Sequence, residues 1–157
     1  MNKVRKALEK DIPRILELLV QVNMVHKNGR GDIFKGPATK YNHSEISEII
    51  KDDDTPVFVC VDDNDEVLAH MFCIFKEVKG SNILTDIKTL YIDDLCVDEM
   101  FRGMGIGSQL LDSAIDYAKK SGCYNITLNV WTCNEYALKF YESKGFLVQK
   151  VGMEMIL

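Results

Sequence analysis

Two stretches of this chain carry residue types at spacings that can do chemistry. In the first, Leu95-Cys96-Val97-Asp98-Glu99-Met100-Phe101-Arg102-Gly103-Met104-Gly105-Ile106-Gly107-Ser108, an apolar strand-like run leads into three alternate glycines and then straight into a helical pattern. Glycine frees the backbone and leaves no side chain over the peptide N–H groups, so several of them can converge on one anion. The helix that follows adds about half a positive charge at its N-terminus, which makes a diphosphate the natural guest. In the second, Asn134 to Phe146, a short helix carries Tyr141, whose phenol can donate a proton. Between the two stretches and the N-terminal half stand Asp93 and Asp94, two carboxylates inside the apolar run Leu90 to Val97. A charge there is costly unless it faces a solvated cleft or has a partner. Side chains alternate along a strand, so the expectation is that the two carboxylates point to opposite faces and only one addresses the cleft.

The glycine spacing separates the known phosphate cradles. A dinucleotide fingerprint needs G-x-G-x-x-G with an acid about twenty residues on, but Ser108 stands where the last glycine would be and Thr127 where the acid would be. No Gly-Lys-Ser/Thr is present either. What remains is Arg-x-x-Gly-x-Gly, carried by Arg102, Gly105 and Gly107. It resembles the Q/R-x-x-G-x-G/A signature of the GNAT superfamily of acyl-CoA-dependent N-acyltransferases. Asn134, Ala137, Phe140, Tyr141, Gly145 and Phe146 resemble that family's later motif, N-x-x-A-x-x-F-Y-x-x-x-G-F. The resemblance follows the order of elements along the whole chain and is specific from about Thr89 to Phe146.

The resemblance implies a GNAT-like α/β fold, a central mixed and mostly antiparallel sheet of about six or seven strands flanked by about four helices. It implies that Arg102, Gly103, Met104, Gly105, Ile106, Gly107 and Ser108 hold the pyrophosphate of coenzyme A. The main chain at Leu95, Cys96 and Val97, with Asn134, would meet the pantetheine arm, and Tyr141 would protonate the departing sulfur. Some relatives carry an acid matching Asp93 that deprotonates the amine through water. Asp93, Asp94 and a water relay all remain open as the base, because an ordinary carboxylate is a weak one. The acceptor pocket would draw on Phe34, Tyr41, His43 and Trp131. The implied reaction moves an acetyl group from acetyl-CoA to a primary amine within one ternary complex, without an acyl-enzyme. Two alternatives share these motifs: a catalytically silent acyl-CoA-binding sensor, and a protein N-terminal acetyltransferase.

Composition narrows the partners. Apolar residues make up 46% and charged residues 27%, as in a globular chain, and 157 residues suit a single domain over residues 1–157. Nineteen Lys and Arg against 24 Asp and Glu give a net charge of −5 with no basic tract, which argues against nucleic acid and for a small-molecule amine. The longest apolar runs, such as Val57–Val61 and Met71–Phe75, are far short of a membrane span, and the charged start Lys3, Arg5, Lys6 lacks the apolar core of a signal peptide. A cytoplasmic location is the expectation. The five cysteines are scattered without a C-x-x-C pair and the three histidines share no ligand spacing, so no metal is expected. A homodimer is left open.

The elements that must position these residues follow from periodicity. Val4–Ala7 reads as a strand. Asp11 with Pro13 opens a helix that stops near Asn28-Gly29, Gly29 to Tyr41 is a loop, and Ser44 starts a helix reaching Ile50. Val57–Val61 and Val67–Phe75, joined by Asp62-Asp63-Asn64-Asp65, form a hairpin apolar on both faces. A polar stretch, Lys76–Lys88, leads to the strand Thr89–Val97. After the glycines come a helix through Ala118, a strand Asn125–Val130, the Asn134 helix ended by Gly145, and a final strand Leu147–Leu157.

Overall fold

The computed structural model describes all residues 1–157. The elements are β1 (Lys3–Lys6), α1 (Ile12–Gly29), α2 (His43–Lys51), β2 (Val57–Val61), β3 (Val67–Val78), β4 (Ile87–Val97), α3 (Ile106–Lys120), β5 (Asn125–Leu128) and α4 (Glu135–Ser143). They build one five-stranded sheet in the order β1-β2-β3-β4-β5. The first three pairings are antiparallel and β4–β5 is parallel, so the sheet is mixed and mostly antiparallel as expected.

Each face of the sheet carries its own apolar core. Leu68, Ala69, Met71, Cys73, Leu90 and Ile92 pack with Ile106, Leu110, Leu111 and Ala114 of α3 and with Tyr141 of α4. Val57, Val59, Val61, Phe72 and Cys96 pack with Ile12, Ile15, Leu18 and Leu19 of α1 and Ile46 of α2. With helices on both sides, β2 is buried at every position, which is why its sequence shows no polar alternation.

Four local expectations are corrected. Leu147–Leu157 lies outside the sheet, which leaves five strands, not six or seven; Leu147, Val151, Met153 and Met155 are largely exposed. Strand propensity reflects a fit to a half-buried pleated surface, and here none of these side chains is buried. Asp11 does not cap α1, because its carboxylate is taken by Leu8 N–H at 2.7 Å and by the Arg5 guanidinium. The cap of α2 is Asn42, whose Oδ1 accepts from Glu45 N–H at 2.8 Å while Glu45 returns a bond to Asn42 N–H. Finally, Lys76–Lys88 is strand at both ends. β3 and β4 continue as a ribbon, with the Lys76 ammonium 3.8 Å from the Tyr91 ring centroid and Lys88 4.4 Å from that of Phe75.

β4 and β5 pair only from Thr89–Asn125 to Ile92–Leu128. Beyond that point β5 has ended while β4 runs on to Val97, paired with β3 alone. One edge of the segment Asp93–Val97 is therefore unpaired, and the sheet opens there.

Candidate active site

The glycine turn sits just past the opening. Gly103 and Gly105 both take φ near +79°, a region that costs other residues about 1–2 kcal/mol. An added Cβ at either would meet nothing within 4 Å, so conformation and not crowding asks for glycine, and the turn is open to an incoming group. Gly105 is the N-cap of α3, no side chain caps that helix, and no acid lies in its first turn. The N–H groups at Ile106, Gly107 and Ser108 belong to that uncapped turn, as a diphosphate site requires. Arg102 folds back, its Nε donating to Val97 O at 3.2 Å.

What fixes the entrance to this turn is Asp98, 4% exposed, on the chain between β4 and the glycines. Its carboxylate accepts from Met100 N–H at 2.9 Å and from the Arg14 guanidinium, while Gln21 Oε1 accepts from Glu99 N–H at 3.0 Å. Arg14 and Gln21 both belong to α1, so that helix anchors the loop leading into the cradle.

The carboxylates of β4 depart from simple alternation. Phe72 is opposite Asp94 and Cys73 opposite Ile92, which leaves Asp93 as an extra residue, a β-bulge. Leu90 and Ile92 face the α3 core before it, and Leu95 and Val97 face the same core after it, so Asp93 and Asp94 both fall on the α1–α2 face. The expectation of opposite faces is thus overturned, because a bulge shifts side-chain parity by one. Asp93 accepts from the Tyr41 hydroxyl at 2.5 Å and pairs through Oδ1 with Lys40 Nζ at 3.0 Å. Asp94 meets Nε2 of the fully buried His70 at 2.5 Å.

Tyr141 approaches from the other face. It lies in the α3–α4 core, T-shaped against Phe140 and Phe146, and is 9% exposed. Burial first, then the negative charge of Asp94, raises the phenol above its ordinary value, so it is protonated at neutral pH. His70 Nδ1 is buried without a hydrogen-bond partner. Asn134 caps α4, its Oδ1 accepting from Ala137 N–H at 3.2 Å.

Of the acceptor-side residues, Tyr41 joins Asp93, whereas Phe34 and Trp131 form a separate aromatic group with His26, at centroid separations of 5.0 and 5.1 Å. Burial lowers the His26 pKa. His43 is exposed on the first turn of α2. Lys40, His70 and His26 are the residues that sequence reasoning missed. His70 did leave a signal, a lone imidazole in the apolar run Val67–Phe75; Lys40, in a loop, left none.

An open-edged strand, a glycine-led helix and a tyrosine helix in this order are matched by the Acetyltransferase (GNAT) family over residues 27–146. The chain belongs to the GNAT acetyltransferase family. The BH1408 protein of Bacillus halodurans, solved as a mutant, is 33% identical with a TM-score of 0.95 over 99% of each chain. The bovine thialysine N-epsilon-acetyltransferase is 27% identical over 152 residues, 90% of this chain and 82% of that one. The uncharacterized N-acetyltransferase MJ1207 of Methanocaldococcus jannaschii is 43% identical over 60 residues, 38% of this chain but only 26% of its own length. GNAT acetyltransferases take their acyl group from acetyl-CoA, and the uncapped turn at Gly105 suits its diphosphate. No three His, Cys, Asp or Glu side chains gather as a metal site, and no helix is long and apolar enough to cross a membrane.

Proposed function

We propose that this GNAT protein transfers an acetyl group from acetyl-CoA to a primary amine of a small molecule. The observation that carries the reading is the opening between β4 and β5. Tyr141 belongs to the core on one face of the sheet, and Asp93 and Asp94, next to the last β4–β5 pair, lie on the other. An acid and a base on opposite sides of a gap can act on one carbonyl, which they could not do through a closed sheet. The bovine relative's name specifies an amino group of a small molecule.

Acetyl-CoA would supply the thioester and the sulfur leaving group. The first turn of α3 would bind the diphosphate through N–H groups, and the unpaired edge at Leu95–Val97 offers main-chain partners to the pantetheine arm. Asp93, facing the opening with an ammonium already on Oδ1, would hold the acceptor amine and take its proton. The raised Tyr141 phenol would keep its proton until the sulfur leaves. Cys96, pushed up to about 12 by burial, is a poor nucleophile, which favours direct transfer over an acyl-enzyme.

The test is release of free thiol from acetyl-CoA across a panel of primary amines, amino sugars and N-terminal peptides. Turnover on the small amines supports the proposal. Turnover on peptides alone transfers it to protein N-termini, and thermal stabilisation by CoA without any turnover makes the chain a sensor.

A further inference from the structure

Lys40 makes the one lysine ion pair whose carboxylate is nearly buried. Asp93 is 11% exposed at its side chain, whereas the carboxylates paired with Lys10, Lys51 and Lys79 are 39% exposed or more. Its Nζ lies 3.0 Å from Asp93 Oδ1, donates to Asp93 O at 3.1 Å, and sits 5.8 Å from the Tyr41 ring centroid. Asp93 is the bulged residue at the point where β4 parts from β5, so this ammonium stands at the mouth of the opening. Its loop is held in place. Asn23 of α1 donates to Lys35 O at 2.9 Å and accepts from Ala38 N–H at 3.0 Å, and a Cβ on Gly36 would lie 2.8 Å from Asn23 Oδ1. The Lys40 head itself is not locked, since its side chain is 45% exposed.

A primary ammonium carried on an unbranched alkyl stem, resting on the carboxylate that the reaction uses as base, has the chemistry of the acceptor. We propose that Lys40 Nζ occupies the acceptor-amine subsite and is itself acetylated from acetyl-CoA. This rests on the N-acetyltransferase reading and adds to it a modification site and an acceptor class, alkyl ammonium compounds that displace Lys40. In the step, Nζ gives one proton to solvent through the Asp93 carboxylate and its lone pair forms the N–C bond. The C–S bond breaks, the sulfur leaves with the Tyr141 proton, and the second Nζ proton returns to the phenol. The products are an acetyl amide, the free thiol of CoA and one proton.

The experiment incubates the full chain with acetyl-CoA and no amine, then maps acetyl groups by peptide mass spectrometry. Lys40 is expected to be modified at least about tenfold faster than Lys35 and Lys51, as a positioned intramolecular amine should be. The rate should not depend on protein concentration, should fall when n-butylamine is added, and should be lost in Asp93→Asn. Modification of Lys40 no faster than Lys35 and Lys51, or at a rate that rises with protein concentration, overturns the inference. The amine panel run in parallel separates the two readings: thiol release with Lys40 unmodified removes only the Lys40 subsite, whereas neither signal removes both. In Lys40→Met the KM for n-butylamine should fall severalfold as the internal competitor is removed, and a rise in KM would contradict the subsite.

Discussion

The turn from Arg102 to Ser108 and the strand segment from Asp93 to Val97 are neighbours in the chain and are built in opposite ways. The turn is a backbone device: two glycines at positive φ and a helix without a cap present N–H groups, and the side chains between them are ordinary. The strand segment is a side-chain device, in which a bulge brings two carboxylates to one face and Tyr41, Lys40 and His70 hold them there. A backbone device tolerates any chemistry in its neighbours but no change of conformation. A side-chain device is the reverse.

The largest effect is expected at the turn. Gly105→Glu puts both a strained φ and a like charge into the cradle and should abolish thermal stabilisation by CoA. Gly105→Ala carries the strain, about 1–2 kcal/mol, without the charge, and should retain measurable stabilisation. Equal loss in the two variants would mean that shape alone makes the cradle. On the strand segment, Asp93→Asn should lower kcat/KM for a small amine by about a hundredfold while CoA stabilisation is unchanged. Asp94→Asn should do less to turnover, because that carboxylate is held by a fully buried imidazole, whereas the ammonium on Asp93 belongs to a half-exposed lysine that an amine can displace. A larger loss for Asp94→Asn would reverse the assignment of the base.

A smaller effect, on stability instead of rate, separates the segment's own parts. His70→Ala leaves Asp94 facing an apolar core without its partner and should cost about 3 kcal/mol in urea unfolding, with His70→Gln recovering part of it. No loss in His70→Ala would show that water satisfies Asp94 and that the pair does not hold the bulge.

The same division decides what could be read from the residues alone. Glycine spacing and helix periodicity are local, so the glycine turn, α3 and α4 with its Asn134 cap lie where the sequence puts them. The faces of Asp93 and Asp94 are not local. Period-two alternation predicts opposite sides, and only the pairing of Phe72 with Asp94 and of Cys73 with Ile92 exposes the extra residue. Lys40 and His70 are still less legible, because they reach β4 from 53 and 24 positions away in the chain. Leu147–Leu157 shows the converse error, an apolar alternating run with no surface to pack on.

The central claim is that the opening between β4 and β5 lets a phenol on one face of the sheet and a carboxylate on the other serve one transfer. Tyr141→Phe tests it most directly, with acetyl transfer to an alkyl amine and CoA binding measured on the same sample. The expected result is turnover reduced by at least about tenfold with acetyl-CoA still bound, since the ring packing is kept and only the proton donor is removed. An unchanged rate would contradict it.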